Sequence, residues 1–416
     1  MRYIPQEVVD QRTRLKVQAE PKRIPQLVWR GGEFWDEANV WLLGRARLLL
    51  SGQLKEATVV SNGKDLLAYA DWLEASGMKW WHCHPRDDQR PLNLYRGHLV
   101  ASHEEGLVAP TLASRRMATL KAFYRWLLSE QILSPGFRLW SERKVRVAYE
   151  DAFGFRRHVD TVRTSLDIRV TRRVDDACLE EGLQPVSLET RDAILDLAFR
   201  RSSHELYLML SLGFWSGLRL GTVTDLKIQT IENAVRIRGC DALKQISVGP
   251  LANPPVHMKL GVSSDEIVVP TQLLEQLLDY SVSYARGKRA ALAKRESRDL
   301  LFITRFGNPY GSPGSDRSPT LNAEMSRLRR LAREEGLDMK GFTFHWSRAT
   351  FATTWARVAL ANGVLHQFMP TLKRMLAHKH DRTTERYIRW IENEEVRSAV
   401  MDEFTKTMFG PFYQAA

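Results

Sequence analysis

The chain has 416 residues, of which 44% are hydrophobic and 26% are charged, an ordinary balance for a water-soluble globular protein. This length exceeds one average hydrophobic core, so we expect two domains and connecting segments. The 61 Lys and Arg residues outnumber the 49 Asp and Glu residues and give a net charge of +12. A positive field of this size favours a polyanionic partner, of which nucleic acid is the commonest.

The sequence argues against a membrane protein and against a secreted protein. No apolar run approaches the roughly 18 residues that span a bilayer, and the N-terminus lacks the apolar stretch of a signal peptide. Cys83, Cys178 and Cys240 are far apart and form no C-x-x-C pair, which indicates a reducing interior rather than a disulfide framework. We therefore expect a cytoplasmic protein with no membrane partner.

The first part of the chain predicts an arm followed by a helical domain. Residues 1–32 are polar, hold several prolines and are interpreted as an N-terminal arm. Residues 33–137 predict helices, because apolar residues recur there at helical spacing. The clearest helix has its basic residues mostly off an apolar stripe, which suits a DNA-binding domain. The stripe consists of Leu112, Met117, Leu120, Phe123, Tyr124 and Leu127.

The rest of the chain predicts a linker and a mixed domain. Residues 138–184 are arginine-rich without sustained periodicity and are interpreted as a linker. The second domain covers residues 185–409, with helices on either side of a section rich in Val and Ile that predicts strands. The strand-like stretches are NAVRIRG (233–239), VHMKLG (256–261) and DEIVVP (265–270). The predicted fold class is mainly α with a small β-sheet (α+β).

The stretch WWHCHPRDD contains three residues of metal-ligand type, His82, Cys83 and His84. Residues this close in the chain cannot easily converge on one ion, and no second ligand cluster follows at a suitable spacing. We predict a loop here, no metal site, and no cofactor for the protein.

Cutting a DNA phosphodiester without a metal requires an aligned nucleophile, cations for the non-bridging oxygens and an acid for the leaving oxygen. The stretch GFWSGLRLGTVTDLK supplies one cation. Gly217 can close one helix in the left-handed conformation, which places Arg219 in the first turn of the next helix, beside free N–H groups. Read alone, this pattern also fits a surface arginine.

A second stretch, FTFHWSRATFATTWARVAL, places His345 and Arg348 three residues apart, so that a helix presents both on one face. The small residues Ala349 and Ala352 leave room for a ligand beside them. Read alone, the pair also fits structural contacts at the rim of a core.

A third stretch, LAHKHDRTTERYI, places Tyr387 nine residues after His378 among basic side chains. A free tyrosine has a pKa near 10 and attacks poorly. Neighbouring Arg and His side chains would stabilise the developing phenolate. The alternative is a surface tyrosine on a charged helix.

Taken in this order, the three stretches resemble the catalytic signature of the tyrosine recombinase (phage integrase) family. The helical segment SRRMATLKAFYRWLLSEQIL is similar to the core-binding domain that precedes the catalytic domain in that family. The resemblance covers roughly residues 33–405. It implies that a helical core-binding domain and a catalytic domain form a C-shaped clamp on DNA.

The resemblance implies a role for each matching residue. Arg219 and Arg348 would hold the scissile phosphate. His345 would handle a proton and contact the phosphate, and His378 would hydrogen-bond a phosphate oxygen. Tyr387 would be the nucleophile that forms a 3′-phosphotyrosyl link and frees a 5′-hydroxyl, so that religation would need neither ATP nor metal.

The family also uses a lysine, in a β-hairpin between the first arginine and His-x-x-Arg, to protonate the leaving oxygen. Lys259 is favoured, because VHMKLGVSSDEIVVP resembles the lysine strand followed by a second strand. Lys244 in GCDALKQIS, nearer to Arg219 in the sequence, is the alternative.

The sequence departs from the family pattern at two places. Thr222 occupies the usual position of an acidic residue three after the first arginine, and Asp225 is a candidate replacement at a different spacing. The segment between Arg348 and His378 is also longer than usual in the family.

The end of the chain predicts an amphipathic helix, because Val396, Val400, Phe404 and Met408 recur about every four residues. The resemblance implies that this helix docks on a neighbouring protomer, giving a homotetramer on two DNA duplexes. Packing on its own domain is the alternative.

The predicted function is a site-specific DNA recombinase or integrase of a mobile element, acting on double-stranded attachment sites in the nucleoid. The alternatives are a DNA-relaxing enzyme like type IB topoisomerases and a catalytically silent DNA-binding regulator.

Overall fold

A computed structural model places the chain in two compact units, Met1–Arg173 and Val174–Ala416. Among the described residues, no helix combines the length and the apolar character needed to cross a bilayer. The structure describes residues 7–9, 16–18, 24–50, 53–54, 56–150, 156–168, 179, 183–258, 264–311, 317–378 and 383–392.

The first unit is built on four helices with a two-stranded ribbon at each end. The helices pack around one apolar core that is rich in Trp, Tyr and Phe. The elements in chain order are β1 (Glu7–Val9), β2 (Lys16–Gln18), α1 (Asp36–Leu50), α2 (Glu56–Ser76), α3 (Pro91–Glu104), α4 (Pro110–Ser129), β3 (Glu142–Glu150) and β4 (Arg156–Thr164).

Helix α4 confirms the apolar stripe that the sequence predicts. Five of the six residues of the stripe are buried, and Leu112 is half-buried at the start of the helix. The Tyr124 hydroxyl donates to the Trp80 carbonyl oxygen at 2.7 Å and lies 2.8 Å from the Tyr69 hydroxyl. Burial of these rings stabilises the core, and neither hydroxyl is left without a hydrogen bond.

Strands β3 and β4 form an antiparallel hairpin inside the segment interpreted as a linker. The sequence shows no apolar periodicity there because the described side chains of the ribbon are mostly exposed on both faces. Without a buried face, a strand has no reason to alternate apolar and polar residues. The division between the two units also falls within residues 138–184.

The second unit combines helices with one three-stranded antiparallel sheet in the order β5-β6-β7. The residues that follow α13 are helical over 383–392, a segment called α14 here. The preceding elements are α5 (Leu188–Arg201), α6 (His204–Ser216), α7 (Leu220–Val223), α8 (Ile228–Glu232), β5 (Val235–Ile237), β6 (Cys240–Val248), β7 (Asp265–Pro270), α9 (Thr271–Val282), α10 (Tyr284–Leu292), α11 (Pro319–Glu334), α12 (Phe344–Ala361) and α13 (Leu365–Met375).

The prediction of a mainly α fold with a small β-sheet is confirmed, but one strand was misplaced. The middle strand is β6, whereas the described residues 256–258 of VHMKLG are irregular. Only Ile246 and Val248 are buried in β6, so its apolar alternation is too short to stand out in the sequence. Pairing with a neighbour on each side stabilises this strand in place of a buried apolar face.

Two apolar clusters meet at α12 in the second unit. The larger is formed by α5, α6, the sheet, α9 and α11. The smaller contains residues of α12, α13 and α14, including Tyr387. The helix predicted over Val396 to Met408 lies outside the described residues.

Candidate active site

The turn after α6 positions Arg219. Gly217 caps this helix in the left-handed conformation at φ 64°, as the sequence predicts, and its N–H donates to the Gly213 carbonyl oxygen at 3.2 Å. A Cβ at Gly217 would lie 2.5 Å from the ring of Phe351. Arg219, half-buried, is the N-cap of α7, one residue before the predicted first turn.

Helix α12 carries His345 and Arg348 and packs closely on α6. A side chain at Gly213 of α6 would overlap the Ser347 hydroxyl, so glycine allows this approach. His345 in the first turn of α12 is half-buried, whereas Arg348 is buried with 3% of its surface exposed.

The Arg348 guanidinium joins two chain segments that are far apart in sequence. Its Nη1 donates to the Gly217 carbonyl oxygen at 2.6 Å, and its Nη2 donates to the carbonyl oxygen of Leu376, the C-cap of α13. Both acceptors end helices and have no partner within the helix. One buried cation therefore fixes both the turn before Arg219 and the turn before His378.

His378 sits in a tight turn after α13 and is buried. Ala377 before it adopts a left-handed conformation at φ 46°, and the His378 N–H donates to the Lys373 carbonyl oxygen at 3.0 Å. The ring Nδ1 lies 3.0 Å from the Thr384 hydroxyl of α14. Its Nε2 is buried without a hydrogen-bond partner among the described residues.

The electrostatic surroundings keep the His378 ring neutral. Burial lowers its pKa to about 2, and the charges of Arg348, Arg219, His345 and Lys373 act in the same direction. Each of these groups lies close enough to His378 to repel a proton on its ring. An anion held among them would meet concentrated positive charge and a neutral imidazole.

Tyr387 in α14 has no exposed surface. Its ring stacks on the His378 ring, with the centroids 5.9 Å apart and the planes inclined by 20°. Ile388 and Ile391 anchor α14 in the same apolar cluster. The alternative of a surface tyrosine is wrong, because the stripe of Tyr387, Ile388 and Ile391 outweighs the charged residues between them.

A small, open depression lies beside these groups. Arg219 and Arg348 contribute to its lining, as does Ala377, the neighbour of His378 in the chain. Its lining consists of Leu218, Arg219, Thr222, Val248, Met258, Ile267, Arg348 and Ala377. The three sequence motifs therefore meet at one place, although the lining alone does not include Tyr387.

Of the two candidate lysines, Lys259 lies outside the described residues. Its neighbour Met258 lines the depression. Lys244 lies in β6 opposite Val269. It precedes the lining residue Val248 by four strand positions, roughly 13 Å along the strand.

The acidic residue that the motif lacks has a counterpart nearby. Thr222 is buried and lines the depression. Asp225 accepts the N–H of His257 at 2.7 Å and pairs with Lys227 at 2.7 Å. Asp225 therefore fixes the chain two residues before Lys259.

Thr384 was not among the residues predicted for the site. Its side chain is fully buried against His378. The signal was a hydroxyl residue three positions before Tyr387, hence on the same side of a helix. Lys373, five residues before His378, was also not predicted, although its charge acts on the His378 ring.

Comparison with known proteins identifies the relatives of this architecture. Residues 46–131 match the family model described as the phage integrase N-terminal SAM-like domain. No curated protein matches the chain by sequence.

Two solved structures resemble the chain over most of its length. One is the XerH site-specific recombinase bound to a palindromic difH substrate after cleavage, with a TM-score of 0.50, 12% identity and coverage of 83% of this chain and 80% of that one. The other is the Tn1549 transposon integrase bound to a circular intermediate DNA, with a TM-score of 0.50, 14% identity and coverage of 85% and 93%. At such identities the likeness is one of fold.

Proposed function

We infer that this chain, a tyrosine recombinase (phage integrase) by its fold and by its SAM-like domain, cuts and rejoins double-stranded DNA at specific sites. One observation connects this inference with particular residues of the site. The buried Arg348 ties the turn of Arg219 to the turn of His378, on whose ring Tyr387 stacks. We propose that this assembly is the active site.

The proposed substrate of the depression is one phosphate of the DNA backbone. Arg219 and Arg348 both line it, and a guanidinium suits phosphate because its donors form a rigid fork. His345 lies close enough to influence His378 electrostatically. Negative charge grows on the non-bridging oxygens as the phosphorus becomes five-coordinate, and cations already in place stabilise it without rearrangement.

His378 is proposed to bind the phosphate through Nε2. Contact with Thr384 occupies Nδ1, and Nε2 has no partner among the described residues. A neutral ring whose Nδ1 accepts from the Thr384 hydroxyl carries its proton on Nε2 and can donate it to a phosphate oxygen. The buried histidine then adds a hydrogen bond without needing to be charged.

Tyr387 is proposed as the nucleophile. Its phenolic oxygen would form a bond to phosphorus while the bond from phosphorus to the 5′-oxygen breaks, giving a 3′-phosphotyrosyl link. The phenolic proton leaves to a base of the site, and the 5′-oxygen takes up a proton to become a hydroxyl. Attack by that hydroxyl reverses each step, so the covalent link conserves the phosphodiester for rejoining.

Lys259 is proposed to protonate the 5′-oxygen. The support is the position of Met258 in the lining and the anchoring of His257 by Asp225, which hold the adjoining chain at the depression. Lys244 lies further along β6, so we favour it less.

Exchange of strands between two sites requires more than one protomer. We propose a homotetramer on two duplexes, held through the predicted helix that contains Val396 to Met408. The proposed context is integration or excision of a mobile element, and the place of action is the DNA of the nucleoid.

The test is covalent capture on nicked suicide duplexes selected from a randomised pool. The wild-type chain is expected to give a protein–DNA band on denaturing electrophoresis, with the 3′ end attached to protein. Tyr387→Phe should abolish the band, whereas Tyr284→Phe on the exposed surface should retain it. Absence of a band for the wild type would favour the silent regulator.

A second measurement separates the two enzymatic functions. Exchange of strands between two duplexes, with protein tetramers, supports the recombinase. Relaxation of any supercoiled plasmid by monomers, without exchange, would favour the topoisomerase-like alternative.

A further inference from the structure

The β3–β4 hairpin is a ribbon that is anchored at its base and exposed above it. At the base, Glu142 accepts from Arg125 at 2.7 Å and from Trp140 at 3.0 Å. The Thr164 N–H donates to Asp167 at 2.9 Å, and Leu166 is fully buried. The nine paired positions, of which Glu142 and Thr164 at the base are the first, extend roughly 27 Å.

The register of the hairpin separates its charges between two faces. Arg143 pairs with Arg163, Val145 with Thr161, and position 147 with Val159. Alternation along each strand places these residues on one side, which we call the arginine face. The arginine face consists of Arg143, Val145, Val159, Thr161 and Arg163.

The opposite face holds its own counter-charge. It carries Lys144, Arg146, His158, Asp160 and Val162. Arg146 and Asp160 are cross-strand partners and form an ion pair at 3.1 Å. On this face the hairpin thus pairs one of its cations, Arg146, from within.

The arginine face has no such balance. Arg143 and Arg163 are exposed and directly opposite each other. Among the described residues neither has an ion pair or a side-chain hydrogen bond, and none of the residues of this face is acidic. Like charges at directly opposite positions destabilise a strand pair, with Cβ atoms about 5 Å apart. An anion between the two guanidiniums would remove that repulsion.

We propose that the arginine face of the β3–β4 hairpin binds the sugar–phosphate backbone of duplex DNA, as a contact additional to the active site. The proposal rests on the proposed function, which makes DNA the polyanion that the chain meets. Val159, whose surface is 46% exposed, lies on the same face two cross-strand pairs beyond Arg143 and Arg163, so phosphates and the apolar sugar edge next to them both find partners. A two-stranded ribbon is also narrow enough to follow a groove.

Contacts with the sugar–phosphate backbone do not depend on base sequence. They are recognised instead by the way the binding affinity depends on salt concentration. Each phosphate neutralised by a cation contributes about 0.9 to the slope of log affinity against log salt. Removal of both arginines should lower the slope by about 1.8. Between 50 and 200 mM salt, the wild type should then lose about 12-fold more affinity than the variant loses.

The experiment compares two double variants of the full chain on a fluorescent duplex of random sequence. R143Q/R163Q removes two charges from the arginine face, and K144Q/R146Q removes two from the opposite face. Only the first is expected to lower the slope by the full amount. Both should fold, because all four side chains are exposed.

Equal slopes for the two variants would overturn the proposal, since the effect would then come from total charge. Unchanged DNA binding by R143Q/R163Q, with a changed oligomeric state or lost binding to anionic vesicles, would also overturn it in favour of another partner. Covalent capture by wild type is scored separately. Its absence counts against the proposed function, whereas the salt slopes judge the hairpin alone.

Discussion

The Arg348 guanidinium and the Gly217 carbonyl oxygen are 2.6 Å apart, although 131 positions separate the two residues in the chain. The same guanidinium also donates to Leu376. The arginine proposed to hold the phosphate is therefore also a structural bridge between two turns. Charge and geometry at this position can be tested separately.

Arg348→Lys retains the positive charge but cannot serve both carbonyls with a planar fork. We expect the rate of covalent capture to fall by about 10²–10³, as for a lost oxyanion donor. The free energy of unfolding should fall by about 1–3 kcal/mol, since a buried acceptor is left unpaired. Single-turnover capture and chemical denaturation measure the two effects, with the exposed Arg333→Lys as control. Wild-type capture by Arg348→Lys would exclude the phosphate-binding role.

Gly217→Ala should destabilise the second unit, because the left-handed backbone and contact with Phe351 both oppose a Cβ. The left-handed conformation costs about 1–2 kcal/mol, and overpacking adds about 1–3 kcal/mol. Gly336→Ala is the matched control, since its φ of 74° has open space around it. A thermal melt of each variant gives the difference. Equal losses of stability in the two variants would show that the Phe351 ring can move aside without cost.

The pH dependence of stability should report His378. Its pKa is lowered to about 2 in the fold against about 6.5 when unfolded, so below pH 6.5 the unfolded chain binds a proton that the folded chain refuses. Stability is therefore fully present above pH 6.5 and falls as the pH decreases, by up to about 1.4 kcal/mol per unit. Melts of wild type and His378→Asn between pH 7 and pH 5 measure this. Parallel curves would contradict a buried neutral ring.

Lys259→Ala should slow cleavage of an ordinary duplex by about 10²–10⁴, the contribution of a general acid. Replacing the bridging 5′-oxygen with sulfur supplies a leaving group that needs no proton, so this substrate should restore the rate. Lys244→Ala is the control and should lose little on either substrate. The reverse pattern would assign the acid to Lys244.

Asp225→Ala should act through the position of the chain at His257, two residues before Lys259, because it frees the N–H of His257. We expect a loss of about 10-fold to 100-fold on the ordinary duplex, part of the effect of a general acid. The 5′-sulfur substrate should recover it, and Asp225→Asn, which can still accept the N–H, should retain more activity than Ala. A loss that sulfur does not rescue would point to a role in overall stability.

The helices and the three motifs could be predicted from the sequence because their signals are local. The stripe of α4, the left-handed Gly217 and the spacing of His345 to Arg348 each depend on a few neighbouring residues. The convergence of Arg219, Arg348 and His378 depends on contacts across 28 and 131 positions, which periodicity does not encode.

One error had a physical cause. Strand β6 has only two buried residues and depends on pairing at both of its edges, so tertiary contacts there overrode local composition. The sequence also left open a surface position for Tyr387 as the alternative, and the turn at Ala377 and the stripe of α14 direct this residue inward.

The complete enclosure of Tyr387 has a consequence for the cell that makes this protein. A phenol without solvent-accessible surface cannot react with a chromosome that merely collides with its owner. Under the proposed chemistry, DNA binding would therefore have to expose the Tyr387 hydroxyl before attack, and a protein free of DNA would hold its nucleophile unreactive.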